Sequence, residues 1–180
     1  MSIRHSKVAA LAEGTRNRRY SLGTASATHF VHDGFSDLLY LLLPVWQAEF
    51  ALSLSQVGVI KSCFSGMLAA AQVPFGLISE RLGERTLLAL GTVMVGLAYM
   101  VLGTAGGWFP LIAVLLVAGC ASAVQHPLCS SVVAKAYEGS VQRMALGVYN
   151  FAGDLGKMVV PALAALVVAA FGWQWATTGY

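Results

Sequence analysis

The sequence predicts an all-α membrane protein that crosses the bilayer several times. Of its 180 residues, 57% are hydrophobic and only 11% are charged, and the mean hydropathy is +0.71. Soluble domains carry about 25% charged residues. The charged residues occur in short clusters between apolar runs, and a run of about 20 residues is long enough to cross a bilayer as a helix. A soluble enzyme is excluded on these grounds, and so is a nucleic-acid-binding protein, which needs a basic face on a soluble scaffold.

Five apolar segments have the length of a membrane span. They cover residues 24–48, 54–79, 86–104, 109–134 and 144–171. Residues 1–22 are basic and polar, and the apolar run that follows has no small-residue cleavage site, so we predict a cytoplasmic tail rather than a cleaved signal. Residues 23–180 then form the membrane part, in which residues 174–180 begin a sixth helix.

Basic residues lie on alternate connections between these segments. The N-terminal tail carries five of them, the second connection carries Arg81 and Arg85, and the fourth carries Lys135 and Arg143. The first, third and fifth connections carry no Lys or Arg. Because basic loops stay in the cytoplasm, we expect a multi-pass protein of the bacterial inner membrane whose N-terminus is cytoplasmic.

Polar side chains form a stripe along one face of the first segment. At about 100° per residue, its members lie within about 80° of His29. They are His29, His32, Asp33, Ser36, Asp37 and Tyr40. A stripe along a whole span favours the wall of an aqueous cavity over a scatter of isolated polar residues.

Three further segments show such a stripe, whereas the third has almost none. Their candidate cavity residues are Lys61 and Gln72 in the second segment, Gln125 and His126 in the fourth, and Asn150, Asp154 and Lys157 in the fifth. A rise of about 1.5 Å per residue places Asp33, His126 and Asp154 at similar depths near the bilayer midplane. We therefore predict a cavity lined by the first, second, fourth and fifth segments, with the third outside it.

The charges in this predicted cavity do not balance. The carboxylates are those of Asp33, Asp37 and Asp154, and the ammonium groups are those of Lys61 and Lys157. Each charge costs about 3 kcal/mol at the bilayer centre, so pairing and water must offset on the order of 15 kcal/mol. One carboxylate is left without a partner, as a proton-carrying group requires, and Asp33 and Asp37 are the candidates. Alternatively, Asp154 and Lys157 form a static ion pair that only fixes helix packing.

The segment GLISERLGER resembles the signature loop of the major facilitator superfamily, G-x3-(D/E)-R-x-G-R-(R/K), which joins the second and third helices. The matching residues are Gly76, Glu80, Arg81, Gly83 and Arg85, while Glu84 stands where a basic residue is usual. The resemblance implies a tight cytoplasmic turn whose acid and cations lock against helix ends and switch during the transport cycle.

Two weaker matches point to exporters within this superfamily. A motif of proton-coupled drug exporters is matched in the fifth segment by Gly147, Gly156 and Pro161. The chain also resembles the fosmidomycin-resistance group of exporters. The matching residues are His29, Phe30 and Asp33 in the first segment and His126 and Pro127 in the fourth.

The resemblance implies a twelve-helix fold in two halves with the substrate site between them. The sequence then covers the first five helices and the start of a sixth, and the missing C-terminal half of the same protein is an expected partner. The implied function is secondary active transport of a small organic solute, with proton-coupled export of the drug or metabolite efflux type as the expected mode. The other expected partners are protons and the lipid bilayer; we expect no nucleic acid, no cofactor and no enzyme activity.

Two other functions remain open from the sequence. His29, His32 and Asp33 are spaced i, i+3, i+4, and His126 could supply a fourth ligand, which is a donor set suited to zinc. An intramembrane metal-binding protein or metal carrier would use these residues, although no HExxH motif occurs. The remaining alternative is a membrane scaffold that does not transport and whose polar stripes tolerate apolar replacement.

Overall fold

The computed structural model describes the backbone of residues 2–178 and the side chains of residues 13–178, and no strand occurs in this part of the chain. Seven helices follow one another. They are α1 (Ser2–Glu49), α2 (Leu54–Leu82), α3 (Glu84–Leu102), α4 (Trp108–Ser122), α5 (Gln125–Ala136), α6 (Gly139–Phe171) and α7 (Trp173–Thr178). The predicted all-helical class is confirmed.

Four stretches of the described chain are long and apolar enough, by length and composition, to cross a membrane. They are Leu54–Leu82, Glu84–Leu102, Trp108–Ala136 and Gly139–Phe171. The first predicted span is not among them, although it lies within the longest helix, α1. Its polar stripe explains the difference, because four titratable side chains between His29 and Asp37 lower its hydropathy.

Contacts between helix ends show that the helices alternate in direction. At one end of the bundle Glu84, which begins α3, forms an ion pair with Lys135 near the end of α5. At the other end, the indole of Trp173 in α7 donates a hydrogen bond to Glu49 of α1, and that of Trp108 in α4 donates to a carbonyl at the start of α2. The basic connections therefore share one end of the bundle, and the connections without Lys or Arg share the other.

Two predicted boundaries differ from the structure at the N-terminal ends of helices. The first predicted span begins at residue 24, whereas α1 is one helix from Ser2, since residues 2–23 are rich in helix formers and contain no proline. The fifth predicted span begins at residue 144, whereas α6 begins at Gly139. The cytoplasmic location of residues 1–22 stays a prediction.

The fourth predicted span is divided into α4 and α5 by a tightened turn at Ala123 and Val124. The amide of Ala123 donates to the carbonyl of Cys120, three residues back, at 3.2 Å. Pro127 explains the change, because its ring has no N–H and clashes with the carbonyl four residues earlier. The break places His126 in the first turn of α5.

The core packs the apolar arc of α1 against the other helices. Leu38, Leu42 and Trp46 are fully buried, and the Trp46 indole makes an edge-to-face contact with Trp173. The closest approach between α1 and α6 depends on Gly156, where a Cβ would overlap the backbone of Phe30. This approach positions the polar face of α1 against α6.

Gly83 alone joins α2 to α3, with φ +83° and ψ 140°. Only glycine adopts such a conformation readily, and other residues there cost about 1–3 kcal/mol. We expect Gly83→Ala to lower the free energy of unfolding in detergent by that amount, measured by thermal unfolding. Gly76→Ala is the control, because Gly76 lies within α2 with no atom near the position of a Cβ. Equal stability of the two variants would contradict the prediction.

Candidate functional site

Asp33 lies at the centre of a buried group of charged and titratable side chains. Its side chain is 3% exposed. His29 Nε2 and Lys157 Nζ each lie 3.2 Å from Asp33 Oδ2, and His126 Nε2 lies 3.5 Å from Oδ1. We call these four residues, Asp33, His29, His126 and Lys157, the Asp33 cluster. It joins α1, α5 and α6.

The orientation of His29 is fixed by α6. Its Nδ1 lies 3.0 Å from the backbone carbonyl of Tyr149, and its ring stacks on the Tyr149 ring with centroids 4.0 Å apart. Gly153 leaves room for the ring, because a Cβ there would overlap the imidazole. A carbonyl only accepts, so Nδ1 carries a hydrogen. Nε2 then faces Asp33 as a lone pair when the ring is neutral, and only a proton or another cation makes that contact favourable.

Lys157 is shared between two carboxylates. Its Nζ lies 3.2 Å from Asp33 Oδ2 and 3.1 Å from Asp154 Oδ1. The Asp154 side chain is 71% exposed, whereas that of Asp33 is buried. The ion pair of Asp154 and Lys157 that the spacing allows is therefore present, but it is joined to the buried carboxylate and is not an isolated packing pair.

Asp37 and Lys61 are not paired with each other. Within residues 13–178, neither forms an ion pair within 4.0 Å. Lys61 donates to Ser65 Oγ at 3.0 Å and lies 4.4 Å from the centroid of the Tyr40 ring. Lys61 therefore contacts the exposed Tyr40 of the α1 stripe rather than a carboxylate. Half-buried Asp37 is the carboxylate left over in the charge count.

The other predicted cavity residues lie around the cluster with fewer contacts. His32 is buried, with its ring centroid 5.6 Å from that of His126. Gln125 is also buried and donates to Cys129 Sγ at 3.0 Å. In the described part of the chain, Asp154 is the one predicted residue outside the cluster that forms an ion pair with it. Ser36, Gln72 and Asn150 are among those that make no hydrogen bond or ion pair with the cluster.

A cavity of about 840 Å³ lies away from the Asp33 cluster. It is lined by α1, α3 and α5, with Thr24, Thr92 and Cys129 among its walls. The third predicted span borders this cavity, which is not the one predicted from the polar stripes. Of the four elements predicted to line the cavity, α1, α5 and α6 contribute side chains to the Asp33 cluster, and α2 does not.

The signature loop makes its contact through an unexpected residue. Glu80, Arg81 and Arg85 are exposed and form no ion pair in the described chain. Instead Glu84 accepts hydrogen bonds from Ser131 Oγ at 2.6 Å and Lys135 Nζ at 2.8 Å. The acid that departs from the family pattern thus holds the start of α3 to α5.

The exporter motif of α6 is only partly used for packing. Gly156 lies directly against the α1 backbone, whereas a Cβ at Gly147 would meet no atom within 4 Å. Pro161 lies within α6 without ending it. One of the three matched positions therefore carries a close helix contact.

Tyr149 and Gly153 hold His29 but were not among the predicted site residues. Tyr149 acts through its carbonyl and its stacked ring, and Gly153 by lacking a side chain, so neither offers a polar signal. The available signal is their spacing, since Tyr149, Gly153, Gly156 and Val160 follow one face of α6.

Comparison with known proteins identifies the family. The model of the Major Facilitator Superfamily matches residues 25–178. The fosmidomycin resistance protein of Escherichia coli is 28% identical over 175 residues, which is 96% of this chain and 43% of that protein. The "Probable sulfoacetate transporter SauU" of Cupriavidus necator is 24% identical, over 88% of this chain and 37% of that protein. The methyl viologen resistance protein SmvA of Salmonella typhimurium is 27% identical, over 76% and 28% respectively.

The chain therefore spans less than half the length of each of these relatives. The matched region contains the Asp33 cluster, the signature loop, the C-terminal half of α1 and helices α2 to α7. The family match agrees with the all-α, multi-pass membrane fold, and the chain belongs to the Major Facilitator Superfamily of transporters.

Proposed function

We propose that this chain forms part of a secondary transporter that moves a small organic solute across the bacterial inner membrane, coupled to protons. The polar faces of α1, α2, α5 and α6 form one wall of the transport path, and a second half of the same protein forms the other. Export by proton antiport is the proposed mode. The single observation that carries the proposal is the buried Asp33 cluster beside the unpaired Asp37.

The charges support a proton-coupled mechanism because they are costly and incompletely paired. An unpaired charge at the bilayer centre costs about 3 kcal/mol, and such residues commonly mark ion or proton pathways. Asp33 has a lysine and two histidines around it, whereas Asp37 has no ion-pair partner among the described residues. Asp37 is therefore our candidate for the carboxylate that gains and loses the coupled proton.

The distribution of basic residues supports the proposed orientation. Arg81 and Lys135 lie toward one end of the bundle, as do Arg16, Arg18 and Arg19 of α1. The positive-inside rule assigns this end to the cytoplasm. Two of the three relatives are named as resistance proteins, which favours export.

Asp37→Asn in the full-length protein is expected to abolish proton coupling. Asparagine keeps the size of the side chain but cannot carry a proton, and loss of one proton-transfer group costs about 100-fold in rate. The measurement is proton flux in inverted membrane vesicles on addition of fosmidomycin or sulfoacetate, the compounds in the names of two relatives.

Asp154→Asn is the matched control, because its side chain is largely exposed and Asp33 keeps Lys157 without it. We expect this variant to retain most of the flux. Unchanged proton flux in Asp37→Asn would contradict the assignment of the proton to Asp37. Two results together would favour the scaffold alternative. The parent protein would show no solute flux, and its Asp37→Leu variant would be as stable and as functional in cells as the parent.

A further inference from the structure

Several buried polar atoms of α1 lack a hydrogen-bond partner in the described chain. Among them are His29 Nε2, His32 Nε2 and both carboxylate oxygens of Asp33. The Asp33 oxygens and His29 Nε2 have only the ion-pair contacts of the Asp33 cluster, whereas His32 Nε2 has none. Buried polar atoms are normally satisfied, and exceptions require an explanation such as an ion. We propose that His29, Asp33 and His126 form a binding site for a divalent transition-metal ion of the zinc type, for which Lys157 is the competing cation.

The spacing of the donor atoms fits a small metal ion. One ligand atom from each of the three residues can be chosen so that all lie within 4.8 Å of one another. Zinc binds nitrogen and oxygen ligands at about 2.0–2.2 Å, so ligands on a tetrahedron are about 3.3–3.6 Å apart. The two imidazole-to-carboxylate distances are 3.2 and 3.5 Å. The site therefore requires only a small closing movement of His29 toward His126.

The surroundings of His29 fit a metal ligand. A ligating imidazole usually donates its other N–H to a carbonyl or carboxylate, which fixes the tautomer and the ring orientation. His29 does so through Nδ1 to the Tyr149 carbonyl, which leaves Nε2 as a lone pair toward Asp33. His29 and Asp33 are also spaced i, i+4, and residues at this spacing lie on one face of a helix.

His32 is a further buried imidazole beside this three-residue site. Its residue is 6% exposed, and its Nε2 has no partner in the described chain. Its ring makes an edge-to-face contact with His126. Two imidazoles and one carboxylate, with water in the fourth position, are a ligand set that zinc accepts, and neutral imidazoles also suit cobalt and nickel.

The ammonium group of Lys157 competes with a metal ion for the Asp33 carboxylate. Its ammonium group lies 3.2 Å from Asp33 Oδ2, where it occupies the position of a second cation. On metal binding Lys157 loses this contact but keeps Asp154, whose Oδ1 is 3.1 Å away. The displaced lysine is therefore not left without a carboxylate, and the exchange of cations moves α6 side chains relative to α1.

The inference concerns the same residues as the proposed transport but does not depend on it. Metal binding is measured on purified protein without solute or proton gradient. Loss of proton flux in the transport assay would therefore not contradict the metal site, and absence of metal binding would not contradict the transport proposal.

The test is titration of the full-length protein with Zn²⁺ by calorimetry after removal of metal by a chelator. The protein is prepared without a polyhistidine tag, which would itself bind the ion. Absorption spectra of the protein with bound cobalt report the coordination geometry. We expect one ion per chain with tetrahedral cobalt bands. His29→Ala and His126→Ala should each weaken binding by more than about tenfold, since even the loss of a supporting residue around a metal site costs 10–100-fold.

Lys157→Gln is expected to strengthen Zn²⁺ binding about tenfold, because it removes the competing cation without removing a ligand. His5→Ala is the control, because it replaces the one histidine of the sequence that lies outside α1 residues 29–33 and α5, and it should bind as the parent does. Thermal unfolding without metal shows that each variant is folded. The proposal is overturned if the parent binds no zinc, if the folded His29→Ala and His126→Ala proteins bind as tightly as the parent, or if Lys157→Gln binds more weakly.

Discussion

Replacing Gly156 with valine is expected to separate α1 from α6 and to prevent stable folding. A Cβ at this position would overlap the carbonyl oxygen and carbon of Phe30, which are backbone atoms and cannot rotate away. Overpacking of cores usually costs about 1–3 kcal/mol. Since the obstacle here is a neighbouring helix backbone, we expect at least about 3 kcal/mol, seen as loss of monodisperse protein in detergent and a lower unfolding temperature.

Gly147→Val provides the matched control within the same helix and the same sequence motif. No atom lies within 4 Å of the position of its Cβ, so the added side chain meets no obstacle. This variant should purify and unfold as the parent does. The packing explanation would be wrong if Gly156→Val were as stable as Gly147→Val.

The second large effect is expected for Lys157→Met, which leaves the buried Asp33 with only two histidines. Removing one partner of a fully buried ion pair costs about 3–5 kcal/mol. Because the Lys157 side chain is 41% exposed, solvent screens part of this interaction, and we expect about 2 kcal/mol. Thermal unfolding of the purified protein measures the difference.

A double variant separates an unpaired charge from lost packing. Asp33→Asn combined with Lys157→Met should recover stability to within about 1 kcal/mol of the parent, because no buried charge remains without a partner. Asp154→Asn should cost less than about 1 kcal/mol, since its side chain is 71% exposed. Lack of recovery in the double variant would show that Lys157 stabilises α6 independently of Asp33.

The depth estimates placed His126 and Asp154 level with Asp33, but they did not show that only His126 contacts Asp33 directly. Helical rise placed Asp33, His126 and Asp154 at one level, and the structure joins all three through His126 and Lys157. Lys61 was predicted to line the same cavity, yet it contacts Ser65 and Tyr40. Depth gives a height along the membrane normal, whereas the rotation of α2 about its axis depends on packing against α4.

Contacts made by backbone or by missing side chains could not be predicted from residue types. Tyr149 holds His29 by its carbonyl, and Gly153 and Gly156 act only by their lack of a Cβ. Glu84 departs from the signature pattern, and nothing in the sequence shows that Lys135 and Ser131 are its partners. These pairs lie far apart along the chain and meet only when α1 packs on α6 and α3 on α5.

The sequence by itself determined the membrane class, the helical segments, the alternating basic connections and the polar face of α1. Each follows from local properties, namely hydropathy, helical period and the identity of loop residues. Only the tertiary structure decided which carboxylate forms ion pairs. Asp33 and Asp37 lie one turn apart with the same chemistry, but the contact of Phe30 with Gly156 directs Asp33 toward Lys157 and His126, while Asp37 forms no ion pair with a described residue.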